Sequence, residues 1–263
     1  MNRSGLAFDN IADPKDISEL SVVLYADSFF YGLWDKTSTL KKTGYHPYVS
    51  LKGVSTLWDH QYNLETVKVL SAVKPYVHLD ALDYEEEFFD VYFHGLYDVQ
   101  KLTGYRKLVD QFSFQDIKTL HYLEPHFKKK ISKSLYATPR HLSTAMAEVN
   151  HKYKKGLLCY IGQGMVHITL VDNKGFRMYN QYPCAHKLDC LYFLLMICQS
   201  LGINTASQPL FLGGDNLGKS FLESELVKYF PQLQLIGEEI KIDADRPAPQ
   251  SHYYDLQICR LCG

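Results

Sequence analysis

The chain has 263 residues, 46% of them hydrophobic, 14% aromatic and 22% charged, with a formal charge of −1. A chain of that length buries a substantial core without disulfide or metal staples, and its aromatic content excludes an intrinsically disordered protein. Near-neutral charge gives no support to a nucleic-acid or anionic-membrane partner.

Short runs of like charge, Lys128 to Lys130 with Lys133, Lys152 with Lys154 and Lys155, and Glu85 to Glu87, read as solvated faces. The amino-terminal stretch MNRSGLAFDNIADPKD holds no apolar run of signal-peptide length. The most apolar segment, Leu191 to Cys198, falls short of the roughly 20 residues that span a bilayer. It reads as a buried helix, with no membrane span, in a cytoplasmic protein. The six cysteines, at 159, 184, 190, 198, 259 and 262, are expected reduced and packed. The pair Cys259 and Cys262 lacks a second ligand pair for zinc and reads as a fraying tail.

In chain order, residues 21–27 form an apolar, β-branched run expected to be a buried strand, and residues 29–35 complete a hairpin. A third extended stretch covers 44–50. Apolar residues at 64, 67, 70 and 73 have the spacing of one helical face, closed by Pro75. Residues 77–98 read as further strands around a charged turn, and 113–155 as helical pieces punctuated by Pro125 and Pro139, with a short amphipathic element at 142–149.

From Leu157 the pattern restarts: LLCYIGQG, MVHITLVD and, after an Asn173-Lys174-Gly175 turn, FRMYNQYP predict a three-strand meander. A helix at about 188–201, a strand at 209–212 ending in Gly213-Gly214, a helix at about 217–230 and a strand at 233–236 follow. The two halves thus read as a duplication. Corresponding hairpins begin at Tyr25 and Tyr160, an offset of 135 residues, and two such units packed together leave a cleft suited to a ligand.

Residues 213–220, GGDNLGKS, match the phosphate-loop pattern G-x-x-x-x-G-K-S. Only 43 residues follow Ser220, too few for the strands that complete such a fold. A tight strand-to-helix turn is therefore preferred. Gly162-Gln163-Gly164, at a hairpin bend, could aim backbone N–H groups at phosphate oxygens. Asp27 is the one acid at a strand end suited to holding Mg²⁺. The eleven histidines form no H-E-x-x-H, and no G-x-S-x-G elbow occurs.

The duplicated meander and glycine-rich turn carry a resemblance to the actin-like ATPase superfamily, including pilus-assembly PilM and division-associated relatives. Residues 157–183 look like its second phosphate hairpin, and PLFLGGDNL like its adenosine turn. Within the superfamily, the chain resembles a bacterial domain-of-unknown-function family with an actin-like fold. The resemblance implies an α/β, duplicated ribonuclease H-like architecture: two lobes of mixed sheet flanked by helices around a central cleft, residues 1–150 and 151–263. It further implies ATP with Mg²⁺ as the ligand of Asp27, Gly162, Gln163, Gly164, Gly213, Gly214 and Asp215.

Two departures matter. Asp27 is followed by Ser28 and Phe29 where the superfamily has glycine, and Tyr160 stands where its second loop begins with aspartate. The expected function is that of a degenerate protein, non-catalytic or weakly nucleotide-binding, acting through a protein partner or self-association. The alternative is an active ATP-dependent phosphotransferase or ATPase using the inter-lobe cleft.

Overall fold

The computed structural model describes residues 7–48, 62, 64–125, 137–186, 188–215, 221–244 and 248–262. The Lys128 to Lys133 run, Lys219 and the end of the 44–50 stretch lie outside the described residues. The strands are β1 Phe8–Asp9, β2 Ile17–Leu24, β3 Ser28–Asp35, β4 Thr39–Pro47, β5 Thr66–Ser71, β6 Tyr76–Asp80, β7 Arg106–Gln111, β8 Ile117–Leu123, β9 Arg140–His141, β10 Gly156–Gly162, β11 Met165–Asp172, β12 Gly175–Pro183, β13 Leu210–Gly214, β14 Leu233–Leu235 and β15 Lys241–Ile242. The α-helices among the described residues are α1 Leu142–Tyr153, α2 Asp189–Leu201, α3 Phe221–Tyr229 and α4 Tyr254–Leu261.

The duplication is visible in strand order. One sheet runs β1-β4-β3-β2-β5-β9 with β15 on β4, and the other β12-β11-β10-β13-β14. In each, an antiparallel meander presents its first strand to a parallel fourth strand, and a parallel fifth follows. Alternation along each strand separates two faces. Leu20, Val22, Leu24, Phe29, Tyr31 and Leu33 pack in one cluster, whereas Val23, Phe30 and Trp34 face another that also holds Leu158 and Tyr160 of β10.

That second cluster is shared by both sheets and filled by α1 and α4. Each is the helix that follows its own half's last parallel strands, and each packs mainly on the other half's sheet: α1 on β11 and β12, α4 on β2 and β5. On the far face of the second sheet, α2 and α3 cover Leu157, Cys159, Leu210 and Leu212 with Leu194, Ile197, Leu226 and Phe230.

Several expectations are corrected. Residues 64–73 hold strand β5, not a helix. Its apolar residues serve two faces, Val69 one cluster and Leu70 the other, and a strand buried on both sides carries no clean alternation to separate it from a helix. Residues 81–102 form consecutive 3-10 turns, not strands, and within 113–155 the strand β8 joins β6 and β7 in a separate three-stranded sheet.

The carboxyl-terminal tail does not fray. Leu256, Ile258 and Cys259 are fully buried, the Cys259 Sγ lies 3.5 Å from the Val22 carbonyl oxygen, and the Cys262 Sγ lies 3.3 Å from that of Ala145. Burial pushes the Cys262 thiol up to about 12, so it stays protonated. Finally, α2 is only half buried: Cys190, Leu194, Ile197 and Cys198 face the sheet while Tyr192 is 62% exposed.

Helix α4 is thus the wedge of the shared core. Gly32 lacks a side chain where a Cβ would lie 2.9 Å from Leu256 Cδ1. Leu256→Ala is expected to cost about 2–5 kcal/mol, measured as a lowered urea midpoint. Unchanged stability would place α4 outside the cooperative core.

Candidate functional site

The register of the second sheet brings six of the seven predicted site residues together. Gly162 and Met165 close the β10–β11 ladder, leaving Gln163 and Gly164 as a two-residue loop with φ of 53° and 71°. Two left-handed residues in succession match the right-handed twist of the flanking strands. Beside this turn, parallel pairing sets Ile161 opposite Gly214.

Gly213 and Gly214 are both buried. At Gly214 φ is +113°, and a Cβ would lie 1.9 Å from the Ile161 carbonyl oxygen. Backbone meets backbone there, so no side chain fits. The chain then turns back: Asp215 N–H donates to the Ile161 carbonyl at 2.7 Å, and the Asp215 carboxylate accepts from the Gln163 N–H at 3.4 Å. An internal carboxylate therefore lies against the hairpin turn.

Asp27 belongs to the other sheet. Tyr25 N–H donates to the Ser28 carbonyl at 2.8 Å, which makes Ala26-Asp27 the two-residue turn between β2 and β3. The exposed Asp27 carboxylate accepts from Ser28 Oγ at 2.8 Å, and its carbonyl accepts from Tyr48 N–H at 2.9 Å. Phe29 is turned to the face opposite the shared core, stacked on His46 at 5.2 Å between ring centroids. Tyr160, by contrast, is fully buried within the shared core.

Just before the Asp27 turn, the Tyr25 hydroxyl donates to the Asp255 carboxylate in the first turn of α4. Both residues are buried, and Asp255 also accepts from Leu256 N–H at 2.9 Å. This link between the first hairpin and the carboxyl-terminal helix has no signature in spacing, because its partners lie 230 residues apart.

A second buried polar network escaped the sequence for the same reason. Asp110 accepts from His141 N–H at 2.6 Å and Thr144 Oγ1 at 3.1 Å, and lies 3.4 Å from His121 Nε2. Thr119 bridges Thr144 at 2.8 Å and His78 Nδ1 at 3.0 Å. These residues come from β6, β7, β8, β9 and α1. Burial pushes His78 down to about 4, and burial with the neighbouring His121 holds His141 well below the usual imidazole range. Nearby, a cavity of about 780 Å³ is lined by Arg140, Glu148, Lys152 and Lys155 among others. Arg140 there forks onto Glu148 at 2.9 and 3.0 Å, and none of the predicted site residues lines it.

Residues 99–233, from just ahead of β7 to the start of β14, match the model of a family described as a protein of unknown function, DUF3822. The chain belongs to this family. No curated protein matches the chain in sequence. Among solved structures, this DUF3822 member superimposes on a Bacteroides thetaiotaomicron protein with actin-like ATPase fold and unknown function. The TM-score is 0.71 at 16% identity, over 95% of this chain and 97% of that one. It also superimposes on the PilM–PilN type IV pilus biogenesis complex with a TM-score of 0.55 at 10% identity, over 94% of this chain and 98% of that one. The fold is that of the actin-like ATPases, as the resemblance implied. No helix among the described residues is long and apolar enough to cross a membrane.

Gly214→Ala is expected to destabilise by more than about 3 kcal/mol, from strain and backbone collision, with or without nucleotide, read by thermal unfolding. His78 and His141 give a pH prediction with a definite sign. Their folded pKa lies below the unfolded value of about 6.5, so the unfolded chain binds more protons as pH falls. Stability is then full above about pH 6.5 and lost progressively toward about pH 4. Urea midpoints at pH 7.5 and 5.0 should differ accordingly.

Proposed function

We propose that this protein is a degenerate member of the actin-like ATPase fold, non-catalytic or weakly nucleotide-binding, that acts through contacts with a protein partner. The observation that carries the reading is the Asp215 carboxylate against the Gln163 N–H. A turn that offers backbone N–H groups is a site for phosphate. Here a fixed negative group lies against it, and repulsion between like charges opposes an incoming triphosphate.

Two further features support it. Phosphoryl transfer depends on carboxylates that hold Mg²⁺ or orient water, and at the second hairpin that position is the buried, uncharged Tyr160. The Asp27 carboxylate is bound within its own turn by Ser28 Oγ. The division into lobes of residues 1–150 and 151–263 belongs to this proposal, as does a site for whatever nucleotide binding persists, lined by Asp27, Gly162, Gln163, Gly164, Gly213 and Gly214, with Asp215, first expected to hold the nucleotide, as the group that weakens it.

Titration with a fluorescent ATP analogue and Mg²⁺ tests the reading. Affinity weaker than about 1 mM without turnover is expected, and Asp215→Ser should tighten binding by about tenfold as the internal anion is removed. Tighter binding with turnover that Asp27→Asn abolishes would overturn it in favour of an active enzyme.

A further inference from the structure

Between the parallel strands β5 and β9 the first sheet carries an inserted arm, residues 76–123, built from the small β6-β8-β7 sheet and the 3-10 turns laid over it. The equivalent connection in the second sheet, between β13 and β14, holds the helix α3 among its described residues. The arm is electrically unlike the rest of the molecule. It holds nine Asp and Glu against four Lys and Arg, a net −5, in a chain whose total is −1. Residues 80–98 contain seven of those acids and no Lys or Arg.

The same segment exposes large apolar side chains. Leu82 is 91% exposed, Leu96 68%, Val91 54% and Phe88 44%, all within fifteen residues. Single exposed apolar residues need no explanation, but four on successive turns of one short segment do. These are held on a rigid frame. Asp80 caps the first turn by accepting from Leu82 N–H at 3.0 Å. The Tyr92 hydroxyl donates to the Asp83 carbonyl at 2.6 Å and accepts from Glu85 N–H at 3.0 Å, tying neighbouring turns together. Beneath them Phe89, Phe93, Leu120 and Tyr122 form a separate aromatic core. A preformed apolar surface of this kind binds without first paying to order itself.

Charge decides what can cover it. Asp83 and Glu85 to Glu87 interleave with the exposed apolar residues, which repels nucleic acid and anionic membranes and attracts cations. We propose that the arm is the docking surface for a basic amphipathic segment of a partner protein, one that lays apolar side chains on Leu82, Phe88, Val91 and Leu96 and Lys or Arg on the acids around them. This rests on the reading that the protein acts through contacts. It adds which surface and which partner chemistry.

The test uses the full chain and three synthetic helical peptides: leucine with lysine, leucine with glutamate, and serine with lysine. Fluorescence anisotropy should show the leucine–lysine peptide binding at least about tenfold more tightly than either other. The double variant Leu82→Ser with Val91→Ser, and the triple variant Glu85→Lys, Glu86→Lys, Glu87→Lys, should each weaken that binding by about tenfold with unchanged thermal midpoints, because the residues are surface ones. Tyr229→Ser, on α3, should leave it unchanged. Equal binding of the leucine–lysine and leucine–glutamate peptides, or undiminished binding by both arm variants, overturns the proposal. So does concentration-dependent self-association that the Leu82→Ser, Val91→Ser variant abolishes, since a second copy would then be the occupant. ATP turnover measured on the same sample separates the two ideas: turnover with intact peptide binding removes only the degenerate reading, and lost peptide binding without turnover removes only this one.

Discussion

The structure depends on a reciprocal exchange of helices. Each half of the chain ends its parallel strands and then sends a helix across to the other half's sheet, α1 onto β11 and β12 and α4 onto β2 and β5. Neither sheet can bury its inner face alone, because a sheet with one apolar face needs a second layer, and here that layer comes from the opposite half. The last residues of the chain are accordingly core residues, and the buried Asp255 in the first turn of α4 is satisfied by the Tyr25 hydroxyl and the Leu256 N–H. A negative group at a helix amino terminus is also favoured by the aligned peptide dipoles.

This geometry fixes the backbone of the second hairpin from within the sheet. The glycine at 214 is demanded by the Ile161 carbonyl, which leaves no room for a Cβ, and the left-handed turn at Gln163 and Gly164 is demanded by the twist of the hairpin. Both constraints are internal to the sheet and hold whether or not a phosphate arrives. The neighbouring positions are committed as well: Tyr160, before Ile161, is packed in the shared core, and the Asp215 carboxylate, after Gly214, lies against the Gln163 N–H.

The arm at residues 76–123 shows the same separation of duties. Its inner side is committed to packing, through an aromatic core above and the Asp110, His121 and His141 network below. Its outer turns are fixed in place yet contribute apolar side chains to solvent. Stability therefore places no demand on the identity of Leu82 or Leu96, and their chemistry is open to selection by a partner.

The second half was legible in the sequence almost element by element. The meander over residues 157–183, the helix ending near Leu201 and the strand ending in Gly213-Gly214 all follow from local signals, namely alternation, a turn at Asn173 to Gly175 and a glycine pair. The glycine-rich turns were legible too, since backbone demands leave glycine in the sequence. What only the tertiary structure decided is which faces those elements share. β5 reads as a helix because both its faces are buried, and the end of the chain around Cys259 and Cys262 reads as a fraying tail because its contacts lie in a sheet more than two hundred residues earlier. Asp215 against Gln163, Tyr25 with Asp255 and the buried histidines are pairings made by strand register and helix exchange, and contacts between residues distant in sequence leave no periodicity from which to read them.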